Sequence, residues 1–312
     1  MSSQIFKKPI PYFALILAHL IWGANFVVAK ITLHEFPPMS LAFLRFALAS
    51  LFLAPFLLSE TKKVRLKKED LPKLIAVGVL IITLNITFFF EGIKRTTAID
   101  ASVLTLILPI LSVLLGWWFL KEKIFLVNLF GVLLGFAGAV VIVGVPQFFV
   151  GTISNEAFLG NILIVLASIS WVVGALISKK LLTKYSSLIV TAVAFLVGTV
   201  TFLIPAWMEY ISNPTWLNQI TIVGILGLVY MTLLSSISAY FLFEWGLSKT
   251  SVAIADLFQY IEPPLATFLA VSLLSEKLSP SFIIGAVFIA IGAYLGTFAK
   301  EAHHRLKKAH RM

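Results

Sequence analysis

Apolar runs of about twenty residues, separated by short polar connectors, organise the chain from end to end. A helix rising about 1.5 Å per residue needs about 20 apolar residues to cross about 30 Å of hydrocarbon. On that measure the pattern predicts ten spans, near 10–33, 38–58, 72–93, 98–120, 124–145, 158–179, 188–208, 218–245, 252–274 and 280–299. The longest connectors, ETKKVRLKKEDLPK at 60–73 and PQFFVGTISNEA at 146–157, are too short to hold a soluble domain. The first apolar run follows Lys7 and Lys8. It exceeds the core of about 7–15 residues that a signal peptide carries, so it reads as a retained first helix.

Composition supports lipid as the solvent. Of the 312 residues, 60% are hydrophobic and 12% charged, whereas a soluble domain carries about 25% charged residues. The net charge of +10 is not a nucleic-acid signal, because its basic residues sit between the apolar runs and behave as orientation marks. With a cytoplasmic N-terminus, nineteen Lys and Arg residues fall inside and three outside (Lys94, Arg95 and Lys277), while Lys30 and Arg45 lie within spans. That bias predicts both termini in the cytoplasm of a multi-pass protein of the inner or plasma membrane. The absence of cysteine excludes disulfides, thiol catalysis and cysteine-ligated metals.

The chain also repeats itself. A shift of 149 carries Trp22 onto Trp171, Lys30 onto Lys179 and Leu33 onto Leu182. A shift of 154 carries Gly92 onto Gly246, Thr96 onto Thr250, Pro109 onto Pro263, Glu122-Lys123 onto Glu276-Lys277, Gly131 onto Gly285 and Gly138 onto Gly292. Two five-helix repeats follow, at 1–147 and 157–312. Five is odd, so the second repeat must cross in the opposite sense. The fold expected is an all-α integral membrane protein of ten transmembrane helices in two inverted five-helix repeats. Such halves can exchange conformations and open a shared midplane site to either side in turn. A duplication that merely built a stable bundle is the plainer alternative.

The segments IWGANFVVAK (21–30), LAFLRFALA (41–49), GIKRTTAIDASVLTLILPILSVLLGWWFLKEK (92–123) and GLSKTSVAIADLFQYIEPPLATFLAVSLLSEK (246–277) resemble the drug/metabolite transporter superfamily, in its ten-helix EamA-like branch. Each segment is a weak motif alone; the four in order, with the right helix count, are specific. The resemblance covers nearly the whole chain. It implies a secondary carrier, often an exporter of amino acids or other small metabolites, and leaves the substrate open.

Polar groups inside apolar spans are costly, so each faces a partner or a cavity. Glu262 lies near the middle of span nine, with Gln259 one turn earlier and Pro263 and Pro264 following. The prolines donate no N–H, which frees the carbonyls of Gln259 and Tyr260. This group suits a cargo ammonium or a proton. A carboxylate paired internally to lock two helices is the alternative. Asp256 falls on the same face nearer the cytoplasm, where a solvated end residue is as good a reading as a ligand. The matching positions of span four are Ser102, Thr105 and Pro109, so the polar track recurs uncharged.

In span one, Trp22 and Asn25 could wall a binding site or glue helices together. His19 could titrate, or be a packed histidine. Asn85, Trp171 and Tyr240 carry the same two readings. The substrate-site candidates are therefore Trp22, Asn25, Asn85, Trp171, Tyr240, Gln259, Tyr260 and Glu262. Glu262, Asp256 and His19 are the candidates for proton coupling. Glu244 and Glu91 end their spans and read as interfacial, with Glu244 also within reach of a cavity. Lys30 and Lys179 are expected to snorkel to water. Arg45, which matches an arginine usual in the family, reads as structural, paired with a carbonyl or carboxylate. The small-residue series Gly131, Gly135, Gly138 and Gly285, Gly292, Gly296 allow close helix contact, within one chain or between two.

No Gly-rich phosphate loop, zinc-ligand spacing or nucleophile motif appears, so no enzyme, cofactor or metal site is expected. A channel for small polar solutes is the rival class, since midplane polar groups also line pores. The partners expected are a small-molecule substrate and the lipid bilayer, with a homodimer left open and nucleic acid excluded.

Overall fold

In the computed structural model the described residues are 9–120, 126–143, 153–250 and 252–292, with single positions at 149, 151 and 295. Among them the chain is helical, without strands. Six helices are long and apolar enough to cross a membrane. They are α1 (Pro9–Thr32), α2 (Pro38–Lys63), α3 (Lys68–Arg95), α6 (Asn155–Leu181), α7 (Ser187–Ser212) and α8 (Ile222–Lys249). Four shorter or broken segments occupy the remaining expected positions. These are α4 (Ala98–Leu104 and Ile107–Leu120), α5 (Leu126–Val143), α9 (Val252–Leu257, a 3-10 turn Phe258–Ile261, and Glu262–Leu274) and α10 (Pro280–Gly292). The expected Glu122, Lys123 and Gly296 positions lie outside the described residues.

Local sequence sets the helix starts. The Ser154, Ser186 and Thr221 hydroxyls accept the N–H of Ala157, Ile189 and Val223, and so cap α6, α7 and α8. Pro38 opens α2, where its missing N–H costs nothing, and Lys62 and Lys63 close it at the negative end of the helix dipole. Ser275 ends α9 in the left-handed region, at φ 54°.

Two departures from the expected regular spans occur at matching places in the repeats. Both α4 and α9 break, at Thr105–Leu106 and Phe258–Ile261. The cause is chemical: Pro109 and Pro263 supply no N–H to, and crowd, the carbonyls of Thr105 and Gln259 four residues back. Both α3 and α8 pass through a π-helical stretch, Gly78–Leu84 and Tyr230–Ser238, and a shift of 154 carries the first onto 232–238, inside the second. The carbonyl of Leu80 in one stretch accepts the Ser170 hydroxyl, and that of Ser235 in the other accepts the Trp22 indole N–H.

Packing repeats as well. The α1 helix lies against α8 and α9, and α6 lies against α3 and α4, while α2 pairs with α7. Exchanging the first five helices for the last five maps this pattern onto itself. The α5–α10 pair depends on glycine: a Cβ on Gly138 would sit 2.6 Å from the Gly285 carbonyl oxygen and 2.8 Å from the Ile289 backbone nitrogen. The small-residue series thus joins helices within one chain. Phe46 on α2 meets Phe195 and Phe202 on α7 in the buried core. The outer faces carry Leu51, Phe56, Val200, Ile204 and Phe268, all exposed. An apolar perimeter around an interior holding buried Arg, Glu, Asp and His is the reverse of a water-soluble domain. The protein is a multi-pass membrane protein.

The end cations do not simply snorkel. Lys30 donates to the Thr96 carbonyl at the end of α3 and pairs with Glu276 at 3.1 Å. Lys179 does the corresponding work at the end of α8, donating to the Leu247 and Thr250 carbonyls at 2.6 and 2.5 Å. Both ammonium groups thereby satisfy carbonyls that a helix end leaves orphaned.

Candidate functional site

Where the two repeats meet, the first helices α1 and α6 turn their midpoints toward one cavity, with α2, α3, α4, α8 and α9 closing it. It offers about 90 Å³ to a water-sized molecule, against roughly 10–15 Å³ for a single buried water. A small organic solute or a cluster of waters fits that space.

Glu262 is the first residue of the last segment of α9, beyond the break, and 2% exposed. Its Oε1 lies 2.6 Å from His19 Nδ1 on α1, and its Oε2 accepts from Gln259 Nε2 at 3.2 Å. Gly23 makes this pairing reachable, since a Cβ there would stand 3.1 Å from Glu262 Cα, so the two helices meet with no side chain between them. The carboxylate is therefore paired internally and also placed on the cavity wall.

Trp22 and Trp171 meet edge to face at 5.2 Å between centroids, and Tyr240 closes on both at 5.3 and 5.7 Å. The repeated tryptophan thus walls one cavity from both halves. Trp22 also meets the His19 ring edge-on at 5.5 Å. Asn85 donates to the Ala167 carbonyl at 2.9 Å, which ties α3 to α6 beside the cavity. Asn25 lies 6% exposed on the wall.

Two candidates fall elsewhere. Tyr260 does not line the cavity: its ring packs on Ile110, because the 3-10 turn rotates it away from Gln259. Asp256 is fully buried, not solvated, and accepts a hydrogen bond from Ser112 across the α4–α9 contact. Glu244 is likewise buried, at 3% exposure, and accepts the Ser178 hydroxyl at 2.6 Å outside the cavity.

Arg45 belongs to the site, which the sequence reading missed. It lines the cavity at 1% exposure, and its partners are the hydroxyls of Ser236 at 2.5 Å and Ser235 at 3.1 Å, neither a carbonyl nor a carboxylate. The Ser-Ser-Ile-Ser run at 235–238, three hydroxyls inside an apolar span, is the sequence signal that goes with it. Thr105, from the uncharged polar track of span four, is a further wall residue, as is Ser168, which the sequence did not single out.

The framework is symmetric but its charge is not. The positions matching His19 and Glu262 are Ser168 and Leu108, both also on the wall. Each repeat contributes one member of the ionisable pair, and the matching positions, one from each repeat, carry no charge.

Comparison with known proteins agrees with this architecture. The model of the EamA-like transporter family matches residues 9–144 and again 158–298. An uncharacterized transporter of Archaeoglobus fulgidus is 33% identical over 91% of this chain and 96% of its own. The probable amino-acid metabolite efflux pump of Escherichia coli is 26% identical over 91% and 93%. A solved crystal structure, 19% identical, shares the fold with a TM-score of 0.64 over 94% of this chain and 98% of that one. The chain is a transporter and not an enzyme, and it belongs to the EamA-like transporter family.

Proposed function

We propose that the chain crosses the inner or plasma membrane ten times, as inverted repeats at about 1–147 and 157–312 with both termini cytoplasmic. In this reading it exports a small organic metabolite of the amino-acid kind by alternating access. The charge bias of the connectors supports the topology. The matched breaks, π-stretches and lysine caps support two halves that can trade conformations. The name of the Escherichia coli relative supports the cargo class.

The observation that carries the proposal is the buried His19–Glu262 pair on a cavity shared by both repeats. A carboxylate there can hold a proton, with the imidazole beside it, or a cargo ammonium, but not both. Competition for one site makes the two occupants alternate. Protons entering from outside would then drive cargo out. Trp22, Trp171 and Tyr240 supply the apolar wall, and Asn25, Asn85 and Gln259 the directional polar contacts.

Counterflow in proteoliposomes tests this, with labelled amino acids inside and out and a pH difference imposed across the membrane. Saturable counterflow that responds to the pH difference is expected. Rapid unsaturable flux without counterflow would make the protein a channel and overturn the reading.

A further inference from the structure

Arg45 is a buried guanidinium with no carboxylate against it. Its Nε and Nη2 are held by the two serine hydroxyls on the π-stretch of α8, and its Cζ lies 5.0 Å from the Phe46 ring centroid. No ion pair to Arg45 forms among the described residues, and its Nη1 has no protein hydrogen-bond partner there. Arginine stays charged, and a charge inside a membrane protein is costly without a counter-charge. Two serines orient this cation and none of its partners neutralises it, which leaves its charge available to the cavity it lines. Two further buried polar atoms on the same wall, His19 Nε2 and Asn25 Oδ1, also lack a protein partner.

A chain of contacts joins the cation to the carboxylate. Arg45 holds Ser235, the Ser235 carbonyl holds the Trp22 indole, Trp22 packs on His19, and His19 pairs with Glu262. One cavity thus presents a positive end and a negative end that do not touch each other.

We infer that Arg45 is the carboxylate-binding group of this site, so the cargo is a zwitterion: its carboxylate meets the free edge of the guanidinium and its ammonium meets Glu262. This rests on the cavity being the transport site. The planar fork of arginine matches a carboxylate. A phosphate would face a single cation across a cavity that also holds Glu262, an unfavourable charge balance. The aromatic and aliphatic remainder of the wall selects an apolar side chain.

The experiment is counterflow and detergent thermal-shift binding with matched probes: L-leucine and L-phenylalanine, their amides, and the decarboxylated amines 3-methylbutylamine and phenethylamine. Wild-type protein is expected to move and bind the amino acids, with the amides and amines about 10-fold to 100-fold weaker, as losing a charge-assisted hydrogen bond implies. Arg45→Gln should erase that preference, and Arg45→Lys should weaken it. Equal handling of amines, amides and amino acids by wild-type protein would overturn the inference while leaving a carrier in place. Retained preference in a folded Arg45→Gln would do the same. No counterflow of any solute would overturn the transport reading itself. The wild-type panel decides even if Arg45→Gln fails to fold.

Discussion

Glu262→Gln removes the carboxylate from the cavity while keeping a planar group that can still meet His19 and Gln259. It introduces no charge and keeps a polar group facing both partners, so the fold should survive. What it removes is the capacity to carry a proton. One carboxylate exchanging one proton per cargo sets the thermodynamic limit: a difference of one pH unit is worth about 1.4 kcal/mol per proton, or about a tenfold concentration ratio. The assay is uptake of labelled cargo into proteoliposomes with an acidic lumen, the electrical potential clamped at zero. Wild-type vesicles should approach about tenfold accumulation per pH unit at steady state. Glu262→Gln vesicles should equilibrate to a ratio near one at every pH difference. Loss of the ionic contact with a cargo ammonium should also weaken binding by about 10-fold to 100-fold. Accumulation by Glu262→Gln that still tracks the pH difference would refute the assignment of coupling to this residue.

Trp22→Ala and Trp171→Ala should each raise the cargo KM roughly threefold to tenfold in counterflow, given what an edge-to-face pair contributes beyond its area; unchanged KM in both would remove the tryptophans from the site. Gly138→Leu forces side-chain atoms into the α10 backbone, at a cost of about 1–3 kcal/mol or more, and should lower the melting temperature in detergent. An unchanged melting temperature would contradict the close α5–α10 contact. Outside the spans, Glu35 accepts the Thr221 backbone N–H and hydroxyl, each at 2.7 Å, and these hydrogen bonds hold its carboxyl below the ordinary value of 4.5. A depressed carboxyl stabilises above its ordinary value and loses that advantage as pH falls through its folded value. Melting of wild type should therefore exceed that of Glu35→Gln at pH 7, with the gap closing below about pH 4; a gap independent of pH would refute it.

Apolar run length, connector charge and the internal repeat were legible because each is a one-dimensional property of the chain. The Trp22–Trp171 correspondence pointed both first helices at one place, and they meet there. Glu262 stood out because a charge in an apolar span has few innocent explanations. The breaks in α4 and α9 were half legible: the prolines announced freed carbonyls, but not the turn that carries Tyr260 off the wall. The π-stretches were invisible, since nothing in the apolar period distinguishes a five-residue from a four-residue hydrogen bond. The partners of Arg45 were hidden for a related reason. Its serine partners lie about 190 residues away, and only the fold of α8 turns Ser235 and Ser236 toward it. The His19–Glu262 contact likewise spans 243 residues, which no local pattern can announce.

Alternating access is the central claim, and the cysteine-free chain allows a direct test. Ser168→Cys is nearly isosteric and places one thiol on the cavity wall, at 2% exposure. Its labelling by a membrane-impermeant maleimide would be measured in sealed right-side-out and inverted vesicles, with and without cargo. The account predicts labelling from both sides, slowed by cargo, with an outward-directed cargo gradient and an inward-directed proton gradient shifting the rates on the two faces in opposite senses. Labelling from one face alone under every gradient, or equal rates from both faces that no gradient alters, would contradict it.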